Sequence, residues 1–201
     1  MEALLASIES AEDDAAAGKG AMRSLAPSPN DVVVGVAASG RTPYTVAAVR
    51  AAAAAGGALT IGLASNAGTP LLQTAAYPIF LDTGAEIVAG STRMKAGTAQ
   101  KIALNLFSTA VMLRLGRVYK GFMINMRVSN QKLQGRAVEM ICEVARVEKS
   151  IDEHALERAG GDIKLAALIA LGGALEQSSA SLDAAGGNLR TAIEQAKADK
   201  Q

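Results

Sequence analysis

Three short, largely apolar runs bounded by Gly, Asn or Pro punctuate the first half of the chain: Val32–Ala37, Leu59–Ala64 and Tyr77–Leu81. Runs of this length between turn formers predict buried strands of the kind found in parallel sheets. Between the first two, Thr45–Ala55 reads as a helix. Thr42 suits the N-cap, Pro43 the first helical position and Gly56-Gly57 the end. Strand, helix and strand in that order imply a right-handed crossover and parallel pairing. The segment Ala67–Ala76, with Thr69-Pro70 inside it, predicts a shorter helix ahead of the third strand.

From Thr92 to Leu115 the pattern turns helical, with Ile102, Leu106, Ala110 and Leu113 at spacings of three and four, and Gly116 supplies a stop. Asn130 can cap another helix, in which Leu133, Ala137, Ile141, Val144 and Val147 form an apolar stripe. Three shorter helical segments follow, Ile151–Ala159, Ile163–Leu175 and Gln177–Ala185, with glycine pairs at 160–161 and 186–187. Leu189 begins a last helix ahead of a polar tail. The stripes at Ile102–Leu113 and Leu133–Val147 exceed what a three-stranded sheet can cover, so an associating chain is expected. The pattern predicts an α/β fold: a parallel sheet with three strands, then a helical C-terminal region.

Half of the 201 residues are apolar, enough for a core, but aromatics make up only 3%, so Ala, Leu, Val and Ile must build it. Twenty basic and nineteen acidic residues give a net charge of +1, with no electrostatic footprint for nucleic acid or an anionic membrane. The single cysteine, Cys142, excludes an internal disulfide and points to a reducing, cytoplasmic compartment and to packing rather than chemistry. His154, among Asp152, Glu153 and Glu157, reads as a solvated histidine, and one Cys with one His argues against a transition-metal site. No apolar run reaches the roughly 18–20 residues of a membrane span. The opening Met1–Ala6 lacks the basic leader and long apolar core of a signal peptide.

Two loops carry candidate chemistry. Ala38-Ser39-Gly40-Arg41-Thr42 falls at the carboxyl end of a strand and before a helix, where open α/β sheets bind ligands. The second string, Gly84-Ala-Glu-Ile-Val-Ala-Gly-Ser-Thr-Arg-Met-Lys-Ala-Gly-Thr-Ala-Gln-Lys101, reads as a loop feeding a helix N-terminus. Ser91 and Thr92 bring hydroxyls and Arg93 and Lys95 bring charge, so the loop suits an anion, or is an ordinary capped helix start. Near the N-terminus, Glu9, Glu12, Asp13 and Asp14 make an acidic cluster that by itself reads as a solvated helix face.

The 18-residue string resembles the signature of N-acetylmuramic acid 6-phosphate etherases and the related glucokinase regulatory proteins. Val32–Tyr44 matches a second family string and Ile8–Asp14 a third, in the family's order. The resemblance covers nearly the whole chain but only the C-terminal two-thirds or so of a typical member. It implies a sugar isomerase (SIS) domain, here over residues 1–145 with three of five strands, and a small helical domain over 146–201. It further implies a Ser39–Thr42 phosphate loop in which Ser39 and Thr42 donate hydroxyl bonds, Gly40 admits backbone N–H groups and Arg41 adds charge. Ser91, Thr92, Arg93 and Lys95 join the binding set, and Glu12 is one of two catalytic glutamates.

The implied reaction cleaves the D-lactyl ether of an amino-sugar 6-phosphate by elimination and hydration, without cofactor or metal, in a cytoplasmic homodimer with no nucleic-acid or membrane partner. The second glutamate and a glycine-rich Gly-Thr-Ser-Gly-Arg loop have no counterpart in this sequence. The edge of the sheet is therefore expected to be uncovered and turnover by this chain alone to be slight. A non-enzymatic sugar-phosphate sensor and an inactive fragment are the alternatives.

Overall fold

The computed structural model describes residues 9–126, 128–146 and 149–198. Met1–Ala6, Ile8, the expected stripe member Val147 and the end of the polar tail lie outside the described residues. Two compact units divide the chain, Met1–Leu106 and Phe107–Gln201. This division falls earlier than the 145/146 boundary expected from the sequence.

In the first unit a 3-10 turn, Glu9–Glu12, precedes α1 (Ala15–Leu25). The acidic segment is thus a turn followed by a cap rather than a helix: the Asp14 carboxylate accepts the Ala17 N–H at 2.8 Å. Then come β1 (Val32–Val36), α2 (Pro43–Ala54), β2 (Leu59–Ala64), α3 (Pro70–Thr74) and β3 (Tyr77–Phe80). The strands pair in parallel in the order β1-β2-β3, with Val34 beside Ile61 and Leu63 beside Ile79. All three lie within one residue of their expected ends, and the α/β expectation holds.

Burial is uneven across the sheet. Thr60–Ala64 of β2 is buried, β1 is partly covered, and β3 is exposed along its whole length, contrary to the expectation of a buried strand. Helices α2 and α3 sit on the sheet where Gly35 and Gly62 face each other in register. A Cβ on Gly35 would lie 3.0 Å from Leu71 Cδ1 and closer still to Val49. One on Gly62 would lie 2.9 Å from the Ala75 Cβ. The absence of side chains here lets Val49, Leu71 and Ala75 close over the sheet in one cluster with Ala37 and Val46.

The ladder also has a direction. Ala37 N–H donates to Leu63 O at 3.1 Å, and Leu81 N–H donates to Ala64 O at 2.9 Å. Since alternate residues point the same way along a strand, the amides of Val33 and Gly35 face β2, and so do those of Tyr77 and Ile79.

Helix α4 (Lys95–Arg114) runs out of the first unit into the second. Only Ala96 in it is buried; Ile102, Leu106 and Leu113 are 50%, 66% and 54% exposed. The other sides of the helix carry Leu104, Phe107 and Val111, which are exposed as well.

The second unit continues with a hairpin of two-residue strands, β4 (Val118–Tyr119) and β5 (Phe122–Met123), in a stretch for which the sequence analysis names no element. Five helices follow: α5 (Gln131–Ala145), α6 (Lys149–Arg158), α7 (Ile163–Ala170), α8 (Leu175–Ala184) and α9 (Leu189–Ala198). The Asn130 side chain caps α5 by accepting the Leu133 N–H at 2.9 Å. Three members of the expected α5 stripe, Ala137, Ile141 and Val144, are buried inside this unit with Ile163, Ala166, Leu189 and Ile193, so these three need no second chain to cover them; Leu133 is half-buried. Cys142 packs against the same core and His154 is exposed. The expected helix Ile163–Leu175 stops early, at the Gly172-Gly173 turn.

Candidate functional site

Strand β1 delivers the chain to a tight turn before α2. Gly40 makes that turn with φ +67°, a region that favours glycine. A Cβ there would also strike the Thr69 side chain and lie 2.9 Å from that of Ala64. The Gly40 N–H donates to Ala37 O at 2.9 Å, so this amide is committed to the turn. Ser39 Oγ accepts the Arg41 N–H at 3.2 Å, which leaves the hydroxyl proton to be donated. Thr42 stands at the N-cap of α2 but makes no capping bond through its side chain, and Pro43 follows it in the first turn. Its hydroxyl is not spent on the helix.

The acidic turn reaches this loop through α1. Helices α1 and α2 pack closely where Gly18, buried, faces the Tyr44 carbonyl; a Cβ at Gly18 would run into that oxygen. The turn ending in Glu12 is thereby held beside the start of α2.

The long signature loop folds back on itself. Glu86 accepts the N–H of Lys95 at 3.1 Å and of Ala96 at 3.0 Å, while Lys95 Nζ donates to Ala85 O at 2.7 Å. The bonds from Ala96 and then Lys95 hold the Glu86 carboxyl below its usual range, and the Lys95 charge adds to them. The first turn of α4 is therefore already supplied with an anion, the protein's own.

One open cavity of about 810 Å³ gathers these pieces. Ala11 and Glu12 line it from the acidic turn, Val36–Ser39 and Thr42 from the β1 end, Gly90 and Thr92 from the signature loop, and Gln100 from α4. Of the residues singled out in the sequence, Glu12, Ser39, Thr42 and Thr92 come together here. Gly40, Arg41, Ser91, Arg93 and Lys95 do not line the cavity. Gly40 shapes the turn from behind, Arg41 and Arg93 are exposed, Ser91 Oγ accepts the Arg93 N–H at 3.4 Å, and Lys95 is held by the loop backbone.

Sequence reasoning missed Tyr44, Thr45 and Gln100 as cavity residues, whereas Gly90 belongs to the loop where the sequence suggests close backbone approach to an anion. The first two follow the phosphate-loop pattern directly, whereas a glutamine inside a helix carries no sequence signal of its own. Among the described residues that line it, Glu12 is the only carboxylate and the only charged one. A smaller cavity of about 300 Å³ in the second unit, lined by Leu168, Gly172 and Ile193, has Lys197 as the one charged residue among its described lining residues. Among the described residues no group of three or more His, Cys, Asp or Glu is placed to hold a metal ion, and no helix is long and apolar enough to cross a membrane.

Residues 13–110, which include all of this cavity except Ala11 and Glu12, match the profile of the SIS domain. Over that stretch the chain is similar to the SIS domain. It is similar along nearly all its length to N-acetylmuramic acid 6-phosphate etherases, as the three strings suggested. The protein of that name from Deinococcus radiodurans is 44% identical over 197 residues, 98% of this chain and 64% of its own length. That from Halalkalibacterium halodurans is 42% identical over 193 residues, 96% of this chain and 64% of its own length. That from Rhizobium rhizogenes is 41% identical over 193 residues, 96% of this chain and 62% of its own length. The chain thus spans a little under two thirds of the length of the curated relatives it matches.

Proposed function

We propose that the SIS domain of this chain binds an amino-sugar 6-phosphate in the Glu12–Ser39–Thr42–Thr92 cavity. We further propose that it contributes to cleavage of N-acetylmuramic acid 6-phosphate into N-acetylglucosamine 6-phosphate and D-lactate, in the recycling of cell-wall amino sugars. What supports the reading is the convergence of Glu12 with the hydroxyls of Ser39 and Thr42, beside relatives that carry the etherase name.

The phosphate fits the start of α2, where the Ser39 and Thr42 hydroxyls meet a helix N-terminus. The ether bond then lies towards Glu12. In the reaction a base removes the proton at carbon 2, and its electron pair forms the carbon 2–carbon 3 double bond. The carbon 3–oxygen bond breaks, and an acid protonates the departing lactate oxygen. Water then adds across the double bond, its hydroxyl to carbon 3 and its proton to carbon 2. Two carboxyls with separated proton affinities suit these steps. Glu12 supplies one; the other comes from a segment outside this chain. The protein works in the cytoplasm as a homodimer, with α4 as the contact, since its apolar side chains are exposed on all sides.

The test is D-lactate release from N-acetylmuramic acid 6-phosphate, by the chain alone and after restoring the segment that relatives have and this chain does not match. Little release alone, recovery on restoration, and loss again with Glu12→Gln are expected. Full release by the isolated chain would place the second carboxyl within it and sink this division of labour. A binding module without turnover is the second reading, favoured by Glu12 being the single carboxylate among the described lining residues. It predicts retained binding and no lactate in either form.

A further inference from the structure

Two buried side-chain polar atoms among the described residues have no hydrogen-bond partner: Ser65 Oγ and Gln100 Nε2. Ser65 follows β2 and does not line the cavity; Gln100 does, from the second turn of α4, with Glu12, Ser39, Thr42 and Thr92. A buried amide donor without an acceptor is costly, and folded proteins leave few of them. An apolar side chain of similar length would fill the same place without that cost. Among the described residues none accepts from this donor, so its use is sought in what fills the cavity.

We propose that Gln100 is a ligand-contact residue that sets specificity for the sugar. Its Nε2 donates to an uncharged acceptor, a hydroxyl or carbonyl oxygen, on the bound amino-sugar phosphate. The proposal rests on the reading of the cavity as a sugar-phosphate site. The phosphate is drawn to the helix start at Ser39–Thr42, where hydroxyls and partial positive charge converge. A neutral amide adds no charge; it adds direction. A ligand that lacks the acceptor leaves the amide unmet in a desolvated place, and such sites reject analogues far more strongly than apolar pockets do. Helix α4 carries Gln100 on the element whose first turn Glu86 clasps, so the donor is fixed relative to the signature loop.

The experiment uses the full chain, wild type and Gln100→Met, with calorimetric titration of N-acetylglucosamine 6-phosphate and of inorganic phosphate, and thermal melting without ligand. Methionine keeps length and volume and removes the donor. The expected result is an about tenfold weaker affinity for the sugar phosphate, as for one lost hydrogen bond. Inorganic phosphate affinity stays within about twofold, and the Tm of the unliganded chain is unchanged or raised. Unchanged sugar-phosphate affinity overturns the proposal. An equal loss for both ligands overturns it by placing Gln100 on the phosphate, and a lowered Tm overturns it by making Gln100 a support of the fold. If the wild-type chain binds neither ligand, the sugar-phosphate reading itself fails and takes the proposal with it. Wild-type binding that Gln100→Met does not disturb refutes the proposal alone.

Discussion

The Glu86 carboxylate accepts the backbone N–H of Ala96 at 3.0 Å, ten residues along the chain, and so closes the signature loop onto the first turn of α4. With the Lys95 N–H at 3.1 Å, it takes the place that an external anion would occupy at a bare helix start. Serine, threonine, arginine and lysine in this loop look like a phosphate site in sequence, yet the helix end they precede is already satisfied.

This clasp has a pH signature. Hydrogen bonds from Ala96 and Lys95 lower the Glu86 proton affinity in the folded state. Its stabilising contribution is therefore full above the ordinary glutamate range and lost as pH falls through the lowered folded-state value. Protection of the Lys95 and Ala96 amides against hydrogen exchange, corrected for intrinsic rate, should fall as the solution is acidified below the ordinary glutamate range. Glu86→Ala should show that low protection at neutral pH. Equal protection in variant and wild type would mean the loop closes without the carboxylate.

Ser39→Ala with Thr42→Ala should weaken amino-sugar 6-phosphate binding by about 1–3 kcal/mol, since charge-assisted bonds to phosphate oxygens are lost. Calorimetry reads the change directly. Thr42 makes no capping bond through its side chain and Ser39 gives up only the exposed bond from the Arg41 N–H, so the fold should tolerate the pair, and a melting curve is the control.

Gly35→Ala should destabilise the first unit by about 1–3 kcal/mol, because the new methyl group forces Val49 and Leu71 off the sheet. Urea titration followed by circular dichroism measures it. In the second unit Ile141→Ala should cost about 2–5 kcal/mol, as Ile141 is fully buried in the helical core. A variant as stable as the wild type at either position would contradict the packing described.

If α4 is the contact between two copies, Leu106→Glu should yield monomers. The side chain is 66% exposed, so the charge leaves the folded chain intact while burying it between copies would be prohibitive. Sedimentation at micromolar concentration distinguishes the outcomes. A wild-type monomer, or a dimer that Leu106→Glu leaves whole, would remove α4 from the interface.

Where the sequence was legible, local chemistry decided the structure. The strands stood out as short apolar runs, and α2 was marked by Thr42-Pro43 at one end and Gly56-Gly57 at the other. The Ser39–Thr42 loop followed from lying at the end of a strand. What local pattern could not show was the partner of each face. Ile102, Leu106 and Leu113 have the spacing of a buried stripe, but Leu104, Phe107 and Val111 make α4 apolar on its other sides too, and from Ile102 to Leu113 no residue of it is buried. The β4–β5 hairpin has only a two-residue signal, Lys120-Gly121, which takes φ of +49° and +83° in a tight turn between two-residue strands. Glu86 and Gln100 needed the third dimension, since each matters through groups far from it in sequence.

The pointing of the backbone amides along the sheet gives it one blocked side and one open one. In β3 the amides of Tyr77 and Ile79 face β2, so Pro78 stands on the outward side, where its missing N–H costs the ladder nothing and denies a donor to any newcomer. In β1 the amides of Val32, Val34 and Val36 point away from β2, with no proline and no charged side chain in the strand. Growth of this sheet is therefore one-directional: a strand from elsewhere in the whole protein, from another copy or from an aggregating neighbour joins beside β1 and not beside β3. A charged or proline substitution at Val32 or Val34 would act as a stopper on that side, and the yield of soluble chain would report it.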